Sequence, residues 1–310
     1  MIINRHSLAL AGALALALGA SVPTFAQELV VTHTKGETKL TAKPAKVLTF
    51  DLATLDTLDA LGVEVAGVPG GAKPDYLAKY EDKKYEKIGT FFEPDYEAVN
   101  AAEPDLIVVA GRSSAKYDDL AKIAPTIDLT VDAKNYLASS VANVQKLGEI
   151  FGKQAEAKEL VEKLEKTTAD LKASAANAGT ALVILTTGGK MSAYGEGSRF
   201  GVAYSDYGFK PAAKTDEKAN HGQAISNEFI LETNPDWLLV IDRDAAIGRE
   251  GQSAQQMLDN EIVHKTKAWQ EGNVVYLKSA NWYTVNGGVQ ALQQNVDQLS
   301  EAVAKKQAAN

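Results

Sequence analysis

Two arginines, Arg112 and Arg243, stand at the same place in two copies of one short cassette. The first copy runs from Glu97 through Pro104-Asp105 and the apolar stretch Leu106–Ala110 to Arg112. The second runs from Glu228 through Pro235-Asp236 and Trp237–Ile241 to Arg243, with the same displacement along the chain at every matched position. Proline pushes the residue before it out of the α region, so each cassette reads as a helix that ends before Pro104 or Pro235. A buried strand follows, with the arginine just past its carboxyl end, where open α/β sheets place their ligand crevices. One such arginine alone reads as a solvated loop charge; the repetition points both at a common cleft, one from each half. The chemistry they offer is anion binding, since a guanidinium presents five donors in a planar fork with permanent charge. Glu97 and Glu228 lie at the other end of the cassette, near the start of each helix. A carboxylate there gains about 0.3–1 kcal/mol from the helix dipole, which does not explain why both halves carry it.

The elements that position these residues alternate between strand and helix. Short strands are expected at Glu28–His33 and Glu37–Thr41, then at Lys46–Phe50, which runs into Asp51 as the N-cap of a helix Leu52–Leu61. Val63–Val68 reads as a strand, Tyr76–Lys87 as helical or irregular surface, and Glu93–Ala102 and Tyr117–Ile123 as helices. Between them lies Leu106–Ala110, a buried strand, and after them Ile127–Leu129. From Ser139 to Ala176 apolar residues recur in steps of three and four, among them Val144, Leu147, Ile150, Val161, Leu164 and Leu171. Gly148 and Gly152 divide this stretch into two helices, the stronger from about Gln154 to Ala176, with Glu159–Lys163 and Glu162–Lys166 as (i, i+4) pairs. The pattern then restarts: strands Ala181–Thr186, Trp237–Ile241 and Val274–Leu277, helices Gly201–Tyr207, Asn227–Thr233, Ala254–Leu258 and Gly287–Lys306. The fold expected is α/β: two Rossmann-like lobes with mostly parallel sheets, joined by one long backbone helix, with a ligand cleft between them. The lobes are expected at 27–152 and 178–310, with the joining helix at 153–177.

The segment 1–26 reads as a secretory leader: Arg5, an apolar run Leu8–Ala20, and a small-x-small site Thr24-Phe25-Ala26. The run is short for a membrane span. With no cysteine in the chain, neither a disulfide nor a lipid-bearing N-terminal cysteine is available, so the expectation is a soluble periplasmic protein rather than a lipoprotein. Without Arg5 the 32 basic residues become 31 against 40 acidic ones, a formal charge of −9, which argues against a nucleic-acid partner.

Further motifs bring the chain into company. Gly197-Ser198-Arg199-Phe200-Gly201, His221-Gly222-Gln223, Asn234-Pro235-Asp236 through Asp242-Arg243, Leu258-Asp259-Asn260-Glu261, and Trp282-Tyr283 with Gly287-Gly288 resemble periplasmic substrate-binding proteins of ABC importers for ferric siderophores, in their catecholate-binding branch. The resemblance spans nearly all of the chain after the leader, including the long helix. It implies that Arg112, Arg199 and Arg243 line the cleft and neutralise an anionic ferric catecholate. It further implies that His221 and Tyr283 ligate iron directly where a tetradentate siderophore leaves two positions empty, and that Glu97 and Glu228 dock onto an inner-membrane permease. The protein itself would carry no intrinsic cofactor and act as a monomer.

The chemistry agrees with those roles. Phenolate oxygen suits hard Fe(III), and imidazole suits iron too. A zinc site would want a cluster of His, Cys or carboxylates, whereas the chain has four histidines, His6, His33, His221 and His264. Two other functions compete: capture of haem or cobalamin on the same fold, and a secreted metal-dependent hydrolase. The arginines suit a compact polyanion better than haem propionates, and the sequence carries no nucleophile elbow or His-Glu-x-x-His motif.

Overall fold

The computed structural model describes residues 28–215 and 221–309; the expected leader, 1–26, lies outside them. The described chain begins with an antiparallel hairpin, β1 (Leu29–His33) and β2 (Gly36–Leu40). The first lobe is then a sheet of five parallel strands: β3 (Val47–Thr49), β4 (Gly67–Val68), β5 (Glu86–Lys87), β6 (Leu106–Val109) and β7 (Thr126–Asp128). Their order is β5-β4-β3-β6-β7. Helices Tyr136–Ile150 and Gln154–Ala175 lead to the second sheet. Its strands are β8 (Thr180–Thr187), β9 (Lys190–Tyr194), β10 (Lys210–Pro211), β11 (Gln223–Ile225), β12 (Trp237–Asp242) and β13 (Val274–Tyr276). The order is β11-β9-β8-β12-β13, with β10 also paired to β8. Here β8, β10, β12 and β13 run parallel, while β9 and β11 add antiparallel pairings at one edge.

The central strands are apolar on both faces, and the faces go to different places. Along β8, Ala181, Val183 and Leu185 enter one core while Leu182 and Ile184 enter another. Along β6, Leu106 and Val108 join the same shared core as Ala181, and Ile107 and Val109 a third. The period-two alternation of a strand thus lets one continuous core run through both lobes. Leu147, Val161, Leu164 and Leu171 from the two joining helices lie in it, as do Leu292, Val296 and Leu299 of the C-terminal helix Val289–Ala309. Full burial of each such side chain stabilises by roughly 1.5–3 kcal/mol.

The cassette repeat has a structural counterpart. Asp105 accepts the backbone N–H groups of Ala45 and Lys46, at the entry to β3. Asp236 accepts the N–H of Thr180, where β8 begins. Each aspartate therefore anchors the start of the strand paired beside its own. The residue before each proline is left-handed, Glu103 at φ 46° and Asn234 at φ 44°, so the helices Tyr96–Ala101 and Asn227–Thr233 close alike.

The C-terminal helix is pinned to the first lobe by one buried carboxylate. Asp56 accepts the N–H groups of Gln290 and Ala291 at 2.8 and 3.0 Å, and the Tyr76 hydroxyl at 2.6 Å. The preceding Gly287-Gly288 makes this approach possible. Gly287 has φ +114°, and a Cβ on Gly288 would lie 2.5 Å from the Asp56 carboxyl carbon.

Several local expectations need correction. The helix expected from Glu93 starts at Tyr96, because Asp95 caps it by accepting the Ala98 N–H. The strand expected over Val63–Val68 shrinks to β4, and β5, β9, β10 and β11 are additional to the expected strands. On the exposed face of Gln154–Ala175 the ion pairs are Lys158–Glu162 and Lys166–Asp170 rather than Glu159–Lys163 and Glu162–Lys166. Such surface pairs differ little in energy, so a lysine with acids on either side takes whichever its rotamer reaches.

Candidate functional site

Three arginines from three separate segments meet on one tyrosine. Arg112 follows β6, after a Gly111 with φ 45° that turns the chain at the strand end. Its guanidinium crosses from the first lobe and donates to the carbonyl oxygens of Tyr283 at 2.6 Å and Thr284 at 3.4 Å. Arg199 sits in the turn after β9, held by Ser198 N–H to Gly195 O and Gly201 N–H to Ser198 O. It donates to the same Tyr283 carbonyl at 3.0 Å. Arg243 opens the short helix Arg243–Ala246 at the end of β12, with Asp242 as its cap. Its Nε donates to the Tyr283 hydroxyl at 2.7 Å, and Nη1 donates to Thr187 Oγ1 at 3.1 Å. The guanidinium carbons lie 5.2, 4.8 and 5.4 Å from the Tyr283 ring centre, all within cation–π range.

Tyr283 is placed there by a π-helical turn, Asn281–Val285, that ends at Asn286 in a left-handed conformation. Such turns are uncommon and recur at functional sites. Trp282, the neighbour, is buried against Phe200 and Tyr207, which fixes the turn to the core.

The electrostatics follow from crowding three like charges. Among the described residues no carboxylate hydrogen-bonds to any of the three guanidiniums; Asp244 approaches Arg243 at 3.8 Å. Burial, then the neighbouring Arg112 charge, lowers the pKa of Arg199 from its ordinary value. Burial pushes the Tyr283 phenol up, but the hydrogen bond from Arg243 and the charges of Arg243, Arg112 and Arg199 outweigh it. The phenol therefore lies below its ordinary value. Asp244 is itself buried and accepts from Thr187 Oγ1 and the Gly188 N–H, so β8 and Arg243 are tied together.

Two cavities flank this cluster. One of about 460 Å³ is lined by Gly70–Ala72 and Thr90–Phe92 of the first lobe and by Arg243, Ile247 and Tyr283 of the second, with Arg112 between. The other, about 330 Å³, is lined by Asp51, Thr130, Arg112, Arg199 and Asn286 among others. A further pocket of about 490 Å³ lies between β13 and the C-terminal helix, lined by none of the three arginines.

The structure thus brings together Arg112, Arg199, Arg243 and Tyr283. His221 stands apart from them: it is exposed, lines neither flanking cavity, and its carbonyl oxygen accepts the Tyr194 hydroxyl at 2.9 Å. Glu97 and Glu228 are exposed in the first turns of their helices, in matching positions on the two lobes, and line neither cavity. Sequence reasoning missed Thr187 and Asp244, which fix Arg243. The acid directly after the cassette arginine was the available signal for Asp244.

Two α/β lobes with a cationic cleft between them define a ligand-binding protein of the two-lobed type. The periplasmic binding protein family model matches residues 47–280, and the chain belongs to that family. It is 39% identical over 284 residues to the petrobactin-binding protein YclQ of Bacillus subtilis, covering 90% of this chain and 89% of that one. It is 31% identical over 277 residues to the ferric-anguibactin-binding protein FatB of Vibrio anguillarum, covering 87% and 86%. The crystal structure of the periplasmic catecholate-siderophore binding protein VctP from Vibrio cholerae superposes with a TM-score of 0.84. That match has 33% identity and covers 89% of this chain and 100% of VctP.

Proposed function

We propose that this protein captures ferric catecholate siderophores in the periplasm and hands them to an inner-membrane ABC importer, binding its cargo without transforming it. The observation that carries the reading is the convergence of Arg112, Arg199 and Arg243 on Tyr283 at the interlobe cleft. A ferric catecholate is a compact polyanion with strong acceptor oxygens, which is the charge and hydrogen-bonding complement of three guanidinium forks. Relatives named for petrobactin, anguibactin and catecholate siderophores support the same class of ligand.

In this reading the cargo is a tetradentate bis-catecholate. Octahedral Fe(III) takes six donors, of which two catecholates supply four. Tyr283 supplies a phenolate oxygen after leaving its hydrogen bond with Arg243, and His221 a nitrogen after its turn moves toward the cleft. The arginine cluster helps, because the charges of Arg243, Arg112 and Arg199 favour the deprotonated phenol even without that hydrogen bond. Glu97 and Glu228 engage the permease, one per lobe, and the protein works as a monomer released by cleavage after Ala26.

The test is a titration of the purified protein with a panel of ferric siderophores, followed by tryptophan quenching. Saturable quenching by ferric catecholates and none by neutral ferric hydroxamates is expected. Equal affinity for both classes would remove the role given to the arginines.

A further inference from the structure

Charge alone does not select a catecholate: three guanidiniums would accept other anionic iron chelates as well. The first lobe adds a second kind of surface to the cleft. Phe91 and Phe92 line the cavity of about 460 Å³ that also holds Arg243, Ile247 and Tyr283. Phe92 is 58% exposed, more than any other large apolar side chain among the described residues. A lone exposed apolar residue needs no explanation, but this one belongs to a pair held in place by a built turn. Thr90 Oγ1 accepts the N–H groups of Phe92 and Glu93 at 3.2 and 3.0 Å, and the Thr90 N–H donates to Glu93 O at 2.9 Å. Gly89, at φ +104°, is bridged to Gly70 by a hydrogen bond of 2.8 Å from the Gly70 N–H. Gly71 leaves room for the Phe91 ring, whose edge lies 3.3 Å from where a Cβ would be. The rings are therefore presented by a hydrogen-bonded loop on the first-lobe side of the cavity, with Tyr283 and Arg243 on the other.

We propose that Phe91 and Phe92 form a stacking wall that selects iron chelates bearing aryl rings, the catecholates, over aliphatic anionic chelates such as ferric citrate. The inference rests on the functional reading above and deepens it: the arginines hold the charge and the phenyl rings read the flat faces of the ligand. Offset or edge-to-face packing with ring centres ~4.5–7 Å apart is what such a wall offers a dihydroxybenzoyl group, and aliphatic carboxylates have no surface to match it.

The experiment compares two probes, the ferric complex of bis(dihydroxybenzoyl)lysine and ferric citrate, by fluorescence quenching on the full-length mature protein. Phe91→Ala and Phe92→Ala are each expected to weaken the catecholate by about two- to tenfold, the range of single aromatic contacts. Phe92→Leu should lose as much, since it keeps apolar bulk but no ring face, while Phe92→Trp should retain binding. Ferric citrate should bind weakly to wild type and be indifferent to all four changes. Phe92→Leu binding the catecholate like wild type would overturn the wall. So would a wild type that holds both chelates equally, although capture of iron chelates would then still stand. A wild type that binds neither chelate removes the functional reading and the wall with it.

Discussion

Arg243 donates its Nε hydrogen to the hydroxyl of Tyr283 at 2.7 Å, and both residues are only partly exposed. The pair has a polarity: a guanidinium that donates to a phenol favours the phenolate. Two more guanidiniums over the same ring push in the same direction. In the proposed role as an iron ligand, Tyr283 would lose a proton that these charges already disfavour.

The first prediction is a titration. Burial raises the phenols of Tyr76, Tyr80, Tyr136, Tyr194 and Tyr204, whereas Tyr283 is lowered. On raising the pH, Tyr283 should ionise before those five, seen by ultraviolet difference absorbance, and Tyr283→Phe should remove that step. A lowered acid is deprotonated earlier in the native state than in the unfolded chain. Stability from this group is thus gained as pH rises above its folded value and is fully present above the unfolded one.

Removing the arginines should act on ligand charge. Two unit charges about 4 Å apart interact by about 1 kcal/mol in water and about 4 kcal/mol at an effective dielectric of 20. Each of Arg112→Ala, Arg199→Ala and Arg243→Ala should therefore weaken a ferric catecholate by roughly tenfold to a hundredfold. Because the three share one tyrosine, the losses in double variants should fall short of additive. Additive losses measured by quenching would mean independent sites.

Asp56 gives a stability prediction. Burial, opposed by hydrogen bonds from Tyr76, Gln290 and Ala291, raises its carboxyl from 3.8 to about 7. The native state then holds a proton that the unfolded chain has lost over this range. Stability should fall as pH rises from about 4 to about 7, by on the order of a few kcal/mol. Asp56→Asn should flatten that dependence in urea unfolding while costing about 1–3 kcal/mol, since its amide NH₂ meets N–H donors of the helix. An unchanged pH slope would show that Asp56 is not its source.

Much of this architecture is legible because the chain writes its cassette twice. The constant displacement between the copies locates both central strands, both cleft arginines and both first-turn glutamates. The equivalent roles of Asp105 and Asp236 show that the match is structural. The elements that stay hidden lack a periodic signal. Glu86–Lys87 is a two-residue strand with both side chains exposed, so no apolar pattern marks it. β9 follows Gly188-Gly189, both with positive φ, a pair that signals a tight hairpin and reads equally well as a strand end. Arg199 and Tyr283 become recognisable only through resemblance, because a turn after an antiparallel strand and a π-helical turn have no cassette to announce them. The buried role of Asp56 depends on Gln290 and Ala291 of the C-terminal helix, at the opposite end of the chain, which no local pattern can foretell.

Glu97 and Glu228 yield a prediction that separates delivery from capture. Both are exposed and line neither cavity beside the arginines. Charge reversal at either should depress uptake through the importer in reconstituted vesicles while leaving ferric catecholate affinity within about twofold, as expected for surface sites away from the ligand. Lost affinity with intact uptake would move these residues into the binding site.

The most direct measurement is the visible spectrum of the protein loaded with a ferric bis-catecholate and desalted, taken for wild type, Tyr283→Phe and His221→Ala. Wild type should retain the colour, with a charge-transfer band altered from that of the free complex. The alteration should vanish in Tyr283→Phe, and both variants should lose far more affinity for the tetradentate complex than for a hexadentate tris-catecholate, which has no vacant position. Wild-type protein that emerges colourless would mean that it does not capture ferric catecholates. Equal losses for both chelates with no spectral change would reduce Tyr283 and His221 to shaping the pocket.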